Sequence, residues 1–168
     1  NLKAKFNKLL CYFISIRLND INWTDMLKKQ ILKSKKNCLI ANKNLVKKNL
    51  SIQTFGNVSQ RIDKNHFIIK PSGINLNTIK HRDFNVINIS SGKVVDGSLN
   101  PSSDTETHRV LYRQWDTIKG IAHGHPTYGT SWAQTGKPIP VLGTTHADYF
   151  RYEIPVVGEA KDLENYEK

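Results

Sequence analysis

The chain changes its hydrophobic period part-way along. From Thr24 to about Lys48, Met26, Leu27, Ile31, Leu32, Leu39 and Leu45 recur at spacings that suit one amphipathic helix or two, with few breakers. Thr24 or Asp25 is placed to cap the start. After Gly56 the pattern shortens. "HFIIK" (66–70), "FNVINI" (84–89) and "GKVVDG" (92–97) are short runs bounded by Gly, Ser, Asn or Pro turns, and they predict strands. "SSDTETHRVLYRQW" (102–115) predicts a helix: Ser102, Ser103 or Asp104 can cap it, Glu106 suits its first turn, and Val110, Leu111 and Trp115 are expected to line its buried side. "GIAHGH" (120–125) reads as a strand and "TYGTSWAQTG" (127–136) as a helix, after which Pro138 and Pro140 lead to a further strand. With no internal repeat and no low-complexity linker, one α/β domain is the economical reading.

Composition sharpens this picture in a few places. A chain of 168 residues that is 38% hydrophobic can bury a real core, and it has no long charge-free apolar run. Leu9 to Ile16 follows Lys3, Lys5 and Lys8 as in a signal peptide, but Arg17, Asn19 and Asp20 stand where a small-residue cleavage site belongs. A soluble, cytoplasmic protein with no membrane partner is the expectation. Cys11 and Cys38 fall outside any CxxC or metal spacing and read as reduced thiols. The net charge of +11 is uneven: residues 1–50 hold 12 Lys and Arg against Asp20 and Asp25, and residues 51–168 hold 13 against 12. The lysines of the basic stretch are scattered among Asn and Ile, not interleaved with aromatics, so no nucleic-acid partner is expected.

Candidate chemistry gathers in the second half. In a strand, side chains at i and i+2 share a face, so His123 and His125 can converge on one metal ion while Gly124 points away. Asp104 offers a carboxylate at the start of the preceding helix, either as a cap or as a group reaching the metal. "KPSG" (70–73) combines Lys70, the hydroxyl of Ser72 and the backbone freedom of Gly73. "PSS" (101–103) sets Ser102 and Ser103 at a helix N-terminus, where free N–H groups favour anions. Each segment alone also reads as a plain turn. Two of them flanking a metal ligand point to a phosphorylated substrate, and "FGN" (55–57) would bring Asn57 to the same place.

"TFGNVS", "IIKPSG", "SGKVVDGSLNPSSDTETHRVLYR", "GIAHGHPTYGTSWAQTG" and "GTTHADYF" resemble, in order, successive blocks of the L-ribulose-5-phosphate 4-epimerases of the class II aldolase and epimerase superfamily. The resemblance runs from about Met26 to about Pro155 and more loosely to the end. The superfamily's aldolases share its glycine, phosphate and H-x-H segments, but they typically carry Glu where Asp104 stands and lack "GTTHADYF". The resemblance implies a three-layer α/β/α fold with a largely antiparallel central sheet, and a homotetramer with sites at subunit interfaces. It implies Asp104, His123 and His125 as ligands of Zn2+ or another divalent metal. Asn57, Lys70, Ser72, Gly73, Ser102 and Ser103 would surround the phosphate of a ketopentose, and Asp148 would be a catalytic acid/base, oriented by His146. The implied reaction interconverts L-ribulose 5-phosphate and D-xylulose 5-phosphate, as in arabinose catabolism. The C3–C4 bond breaks, the aldehyde fragment turns, and the bond re-forms on its other face, with the metal as Lewis acid.

The chain also departs from that pattern. "HGHPTYGT" replaces the usual "HTHS" continuation, and the family's third histidine ligand and tyrosine acid/base lie C-terminal to Lys168. The chain begins with Asn, and its only methionine is Met26. The expectation is therefore an upstream extension over residues 1–25 and, over 26–168, the N-terminal part of a single class II aldolase-like domain. A related sugar-phosphate aldolase and a catalytically inactive remnant stand as alternatives.

Overall fold

Alternation along the strands decides how the layers assemble. The computed structural model describes the backbone of residues 2–156 and the side chains of 25–156. Its strands are β1 (Asn57–Arg61), β2 (His66–Ile69), β3 (Asn85–Asn88), β4 (Val94–Asp96) and β5 (Gly120–His123). They form one five-stranded sheet in the order β4-β3-β2-β1-β5, and every neighbouring pair is antiparallel. The helices are α1 (Leu2–Lys47), α2 (Thr105–Gln114), α3 (Thr127–Ala133) and α4 (Thr144–Tyr149).

Successive strand side chains point to opposite faces, and the sheet buries both. Ile68 and Val86 face α1, where they form one core with Cys38, Ile62, Ile79 and Phe84, flanked by Leu27, Ile31 and Leu39 of the helix. Phe67, Ile69 and Ile87 face the other way and pack with Ile89 and with Tyr112 of α2. A helix on each face of a central antiparallel sheet is the three-layer α/β/α arrangement expected from the sequence. Two-sided burial also explains why "HFII" reads as a continuous apolar run instead of an alternation.

Several boundaries differ from the sequence reading. The helix expected to start at Thr24 runs without a break from Leu2 to Lys47, so neither Thr24 nor Asp25 caps it. Met26 and Leu32 face solvent, and Cys38, Asn42 and Leu45 lie against the sheet. Burial pushes the Cys38 thiol up to about 12, which makes it an inert core group; the Cys11 side chain lies outside the described residues. The buried side of α2 is His108 and Tyr112, whereas Val110 and Trp115, which the pattern assigns to the core, are half exposed. The polar strand β1 lies under this helix and selects polar partners. The strand expected after Pro138 and Pro140 does not form among the described residues; Ile139, between the two prolines, makes a single bridge to Ile154, because prolines on either side remove the donors a ladder needs. No helix among the described residues is long and apolar enough to cross a membrane.

Candidate active site

Two loops are laced together beside β1. The Ser72 N–H donates to the Asn100 carbonyl at 2.9 Å, and the Ser102 N–H donates to the Lys70 carbonyl at 3.0 Å. Pro71 and Pro101 face each other between these bonds. This short antiparallel pairing puts "KPSG" and "PSSD" side by side. The third segment arrives through Gly56, whose φ of +70° suits glycine. A Cβ there would stand 2.8 Å from the His123 carbonyl oxygen, so the bare glycine lets the chain pass close beneath β5. β1 then starts at Asn57, directly opposite His123 in the ladder.

The result is one cavity of about 360 Å³. Asn57, Lys70, Ser72, Gly73, Ser102, Ser103, Asp104, His123 and His125 all line it, with Thr54, Phe55 and Gly56 completing the wall. Asp148 is not among them: it lies exposed on α4. His146 makes no hydrogen bond to Asp148; its ring stands edge-on to Phe150 at 5.8 Å, and its Nε2 has no partner among the described residues.

Asp104 holds the centre of the cavity. It occupies the N-cap position of α2 without capping it, because its carboxylate is engaged elsewhere. Oδ2 accepts from Asn57 Nδ2 at 2.5 Å and bonds His123 Nδ1 at 2.8 Å. The hydrogen bond from His123 holds the Asp104 carboxyl below its usual range, and the same bond raises His123. His125, its ring centroid 4.7 Å from that of His123, is lowered by burial and by the neighbouring imidazole. Lys70 is almost wholly buried, yet among the described residues its ammonium donates only to the Pro71 carbonyl, at 3.2 Å. Burial lowers its pKa against the opposing pull of Asp104. A buried cation with one neutral partner favours an anion beside it. The hydroxyls of Ser72, Ser102 and Ser103 line the same cavity and are ordinary donors to phosphate oxygens.

Two imidazoles and a carboxylate are a donor set that suits zinc or a similar divalent ion. Asp104 and His123 already share a proton, linking the two groups that a cation would link. Asn57 Oδ1 is buried beside them without a partner among the described residues. Among the described residues, no three His, Cys, Asp or Glu side chains are grouped closely enough to hold a metal ion as they stand, in this cavity or elsewhere. By donor chemistry the residues fit a divalent ion, provided that Asp104 and His123 turn from each other toward it.

Pattern reasoning missed what lies beneath the cavity. Asn57, Ser59 and Arg61 are the buried side chains of β1, and each bonds α2 or its flanking residues. Asn57 meets Asp104; Ser59 Oγ lies 2.7 Å from His108 Nδ1 and 2.8 Å from Tyr112 Oη. Arg61 donates to the carbonyls of Tyr112 and Trp115, at 2.5 and 3.0 Å, and its guanidinium lies 4.8 Å over the Tyr112 ring. Every second residue of the strand meets every fourth residue of the helix. The two repeats match, at roughly 6.7 Å for two strand residues and about 6 Å for four helix residues.

Comparison with known proteins agrees with this architecture. Residues 37–167 match the model of the class II aldolase and adducin N-terminal domain. The chain belongs to the class II aldolase and adducin family. Among solved structures, an L-fuculose 1-phosphate aldolase is 36% identical over 65% of this chain and 51% of its own, with a TM-score of 0.61. An L-fuculose-1-phosphate aldolase from Thermus thermophilus is 22% identical over 80% of this chain and 69% of its own, at 0.63. An L-fuculose 1-phosphate aldolase from Glaciozyma antarctica is 19% identical over 70% and 49%, at 0.61. This class II aldolase family chain thus spans about half the length of the first of these structures. The sequence resemblance and the family match agree on the superfamily, and these three structures are of L-fuculose 1-phosphate aldolases.

Proposed function

We propose that this chain supplies the phosphate- and metal-binding groups of an enzyme that breaks and re-forms a carbon–carbon bond in a phosphorylated sugar, as an L-ribulose-5-phosphate 4-epimerase does. One observation carries the reading: a buried, under-partnered Lys70 and three serine hydroxyls share one cavity with an Asp104–His123–His125 group. In this reading Lys70, Ser72, Ser102 and Ser103 fix the substrate phosphate, and Gly73 keeps that wall open. Asp104, His123 and His125 hold a divalent ion, which when bound acts as a Lewis acid toward the charge left by C–C cleavage. Asn57 aims the Asp104 carboxylate. Asp148, exposed on α4, is the acid/base of a neighbouring copy's cavity, in keeping with sites at subunit interfaces. Asp104 and "GTTHADYF" are what favour the epimerase.

A class II aldolase is the second reading, favoured by the 36% identity to an L-fuculose 1-phosphate aldolase. Zinc content of the purified chain, beside a His123→Ala, His125→Ala double variant, tests the shared part. About one zinc per chain, lost in the double variant, is expected; no zinc on the parent chain rejects the site. Parallel assays of L-ribulose 5-phosphate epimerisation and of aldehyde release from L-fuculose 1-phosphate separate the two reactions.

A further inference from the structure

The ladder between β1 and α2 does more than bury polar groups. Asp104 is an arm at the first turn of α2, and its position relative to His123 depends on how far the helix has slid along β1. An apolar contact between helix and strand would tolerate a slide of an ångström or two. Hydrogen bonds do not, because they weaken steeply beyond about 3.2 Å. The rungs nearest the cavity are Ser59–His108 and Ser59–Tyr112, one and two turns below Asp104 on the same helix face and two residues below Asn57 on the same strand face. Both helical side chains are essentially inaccessible to solvent, at 2% and 1% exposed, as is Ser59 at 0%. Water therefore cannot substitute for a missing partner without a rearrangement.

We infer that Ser59 and His108 form a positioning pair, which sets the register of α2 on β1 and so holds the Asp104 carboxylate within reach of the ion shared with His123 and His125. Neither residue lines the cavity, and both act through Asp104. The inference rests on the metal site proposed above. It assigns a role to Ser59, a buried polar residue that the sequence patterns passed over.

A double-mutant cycle tests it, with Zn2+ alone as the probe. His108→Phe keeps a ring of similar bulk and removes the bond to Ser59. His108→Asn keeps a hydrogen-bonding nitrogen near the Nδ1 position. Ser59→Ala removes the same rung from the strand side. Each is made in the parent chain and in Asp104→Asn, and circular dichroism selects the variants that stay folded. In the parent, His108→Phe and Ser59→Ala each weaken Zn2+ binding by about tenfold, as loss of an outer partner of a metal ligand does, and His108→Asn restores most of it. In Asp104→Asn the same changes have no further effect. Equal losses in both backgrounds, or none in the parent, overturn the positioning role while leaving the site reading intact. A parent chain that binds no Zn2+ overturns both.

Discussion

Asn42 and Val58 are joined as two strands would be, although one of them sits on a helix. The Asn42 side chain donates to the Val58 carbonyl at 2.9 Å and accepts from the Val58 N–H at 2.9 Å. It also donates to the Cys38 carbonyl one turn back at 2.7 Å, and it is fully buried. A side-chain amide thus ties α1 to the backbone of β1, one residue after Asn57. Asn42→Leu keeps the volume and leaves both Val58 groups buried without partners, at roughly 1–3 kcal/mol each. Thermal unfolding should fall by on the order of 5–10 °C, and a change under about 2 °C would show that the pair carries no net stability.

The loop glycines offer a comparison with an internal control. Gly56 and Gly73 have nearly the same backbone conformation, φ +70° and +69°. A Cβ on Gly56 would press on the His123 carbonyl and on Ser51, whereas one on Gly73 meets nothing within 4 Å. Gly73→Ala should cost only the left-handed backbone term, about 1 kcal/mol. Gly56→Ala should cost that and more, because β1 must move away from β5. Urea unfolding midpoints measure both, and equal losses would mean that the close approach at His123 is relaxed without strain.

How far these relationships could be read in advance depended on what kind of signal carries them. The sheet strands "HFII" and "NVIN" announce themselves because they are buried on both faces and therefore apolar. β1, "NVSQR", alternates instead, and its more deeply buried positions are polar, so a hydrophobicity pattern finds nothing there. The cavity residues were legible as short polar segments, "KPSG", "PSSD" and "HGH", which the fold brings to one cavity. Ser59, His108 and Arg61 were not, since their partners lie about fifty residues away and only the fold brings them together. Asp148 stood out by resemblance alone, and within one chain the fold leaves it outside the cavity.

In the proposed reading, Lys70 sets phosphate binding against stability. Its ammonium is desolvated for a single neutral hydrogen bond, an arrangement that costs free energy until an anion arrives. Lys70→Met, of similar length, should therefore unfold at the same temperature as the parent or a few degrees higher. It should also bind inorganic phosphate at least about tenfold more weakly, the worth of a charge-assisted bond. Calorimetric titration beside a thermal melt reads both. A variant that loses stability and keeps phosphate affinity would make Lys70 a structural cation.

Acid should weaken the chain in two stages. Burial lowers His108 from 6.5 to about 4, so the unfolded chain takes up its proton first as pH falls. Stability from this group is complete above pH 6.5, declines between 6.5 and about 4, and changes no further below, a total of roughly 3 kcal/mol at about 1.36 kcal/mol per pH unit. Asp104, lowered by its bond from His123, adds a second decline below its unfolded value of 3.8. His123 has the opposite sign: its raised value gives stability that is full below 6.5 and fades as pH climbs through the folded value. It cannot mask the loss between 6.5 and 4, where its contribution is constant. Urea unfolding between about pH 7 and pH 4 should show the decline in the parent chain and a flatter profile in His108→Asn, and parallel profiles would assign the acid sensitivity to other groups.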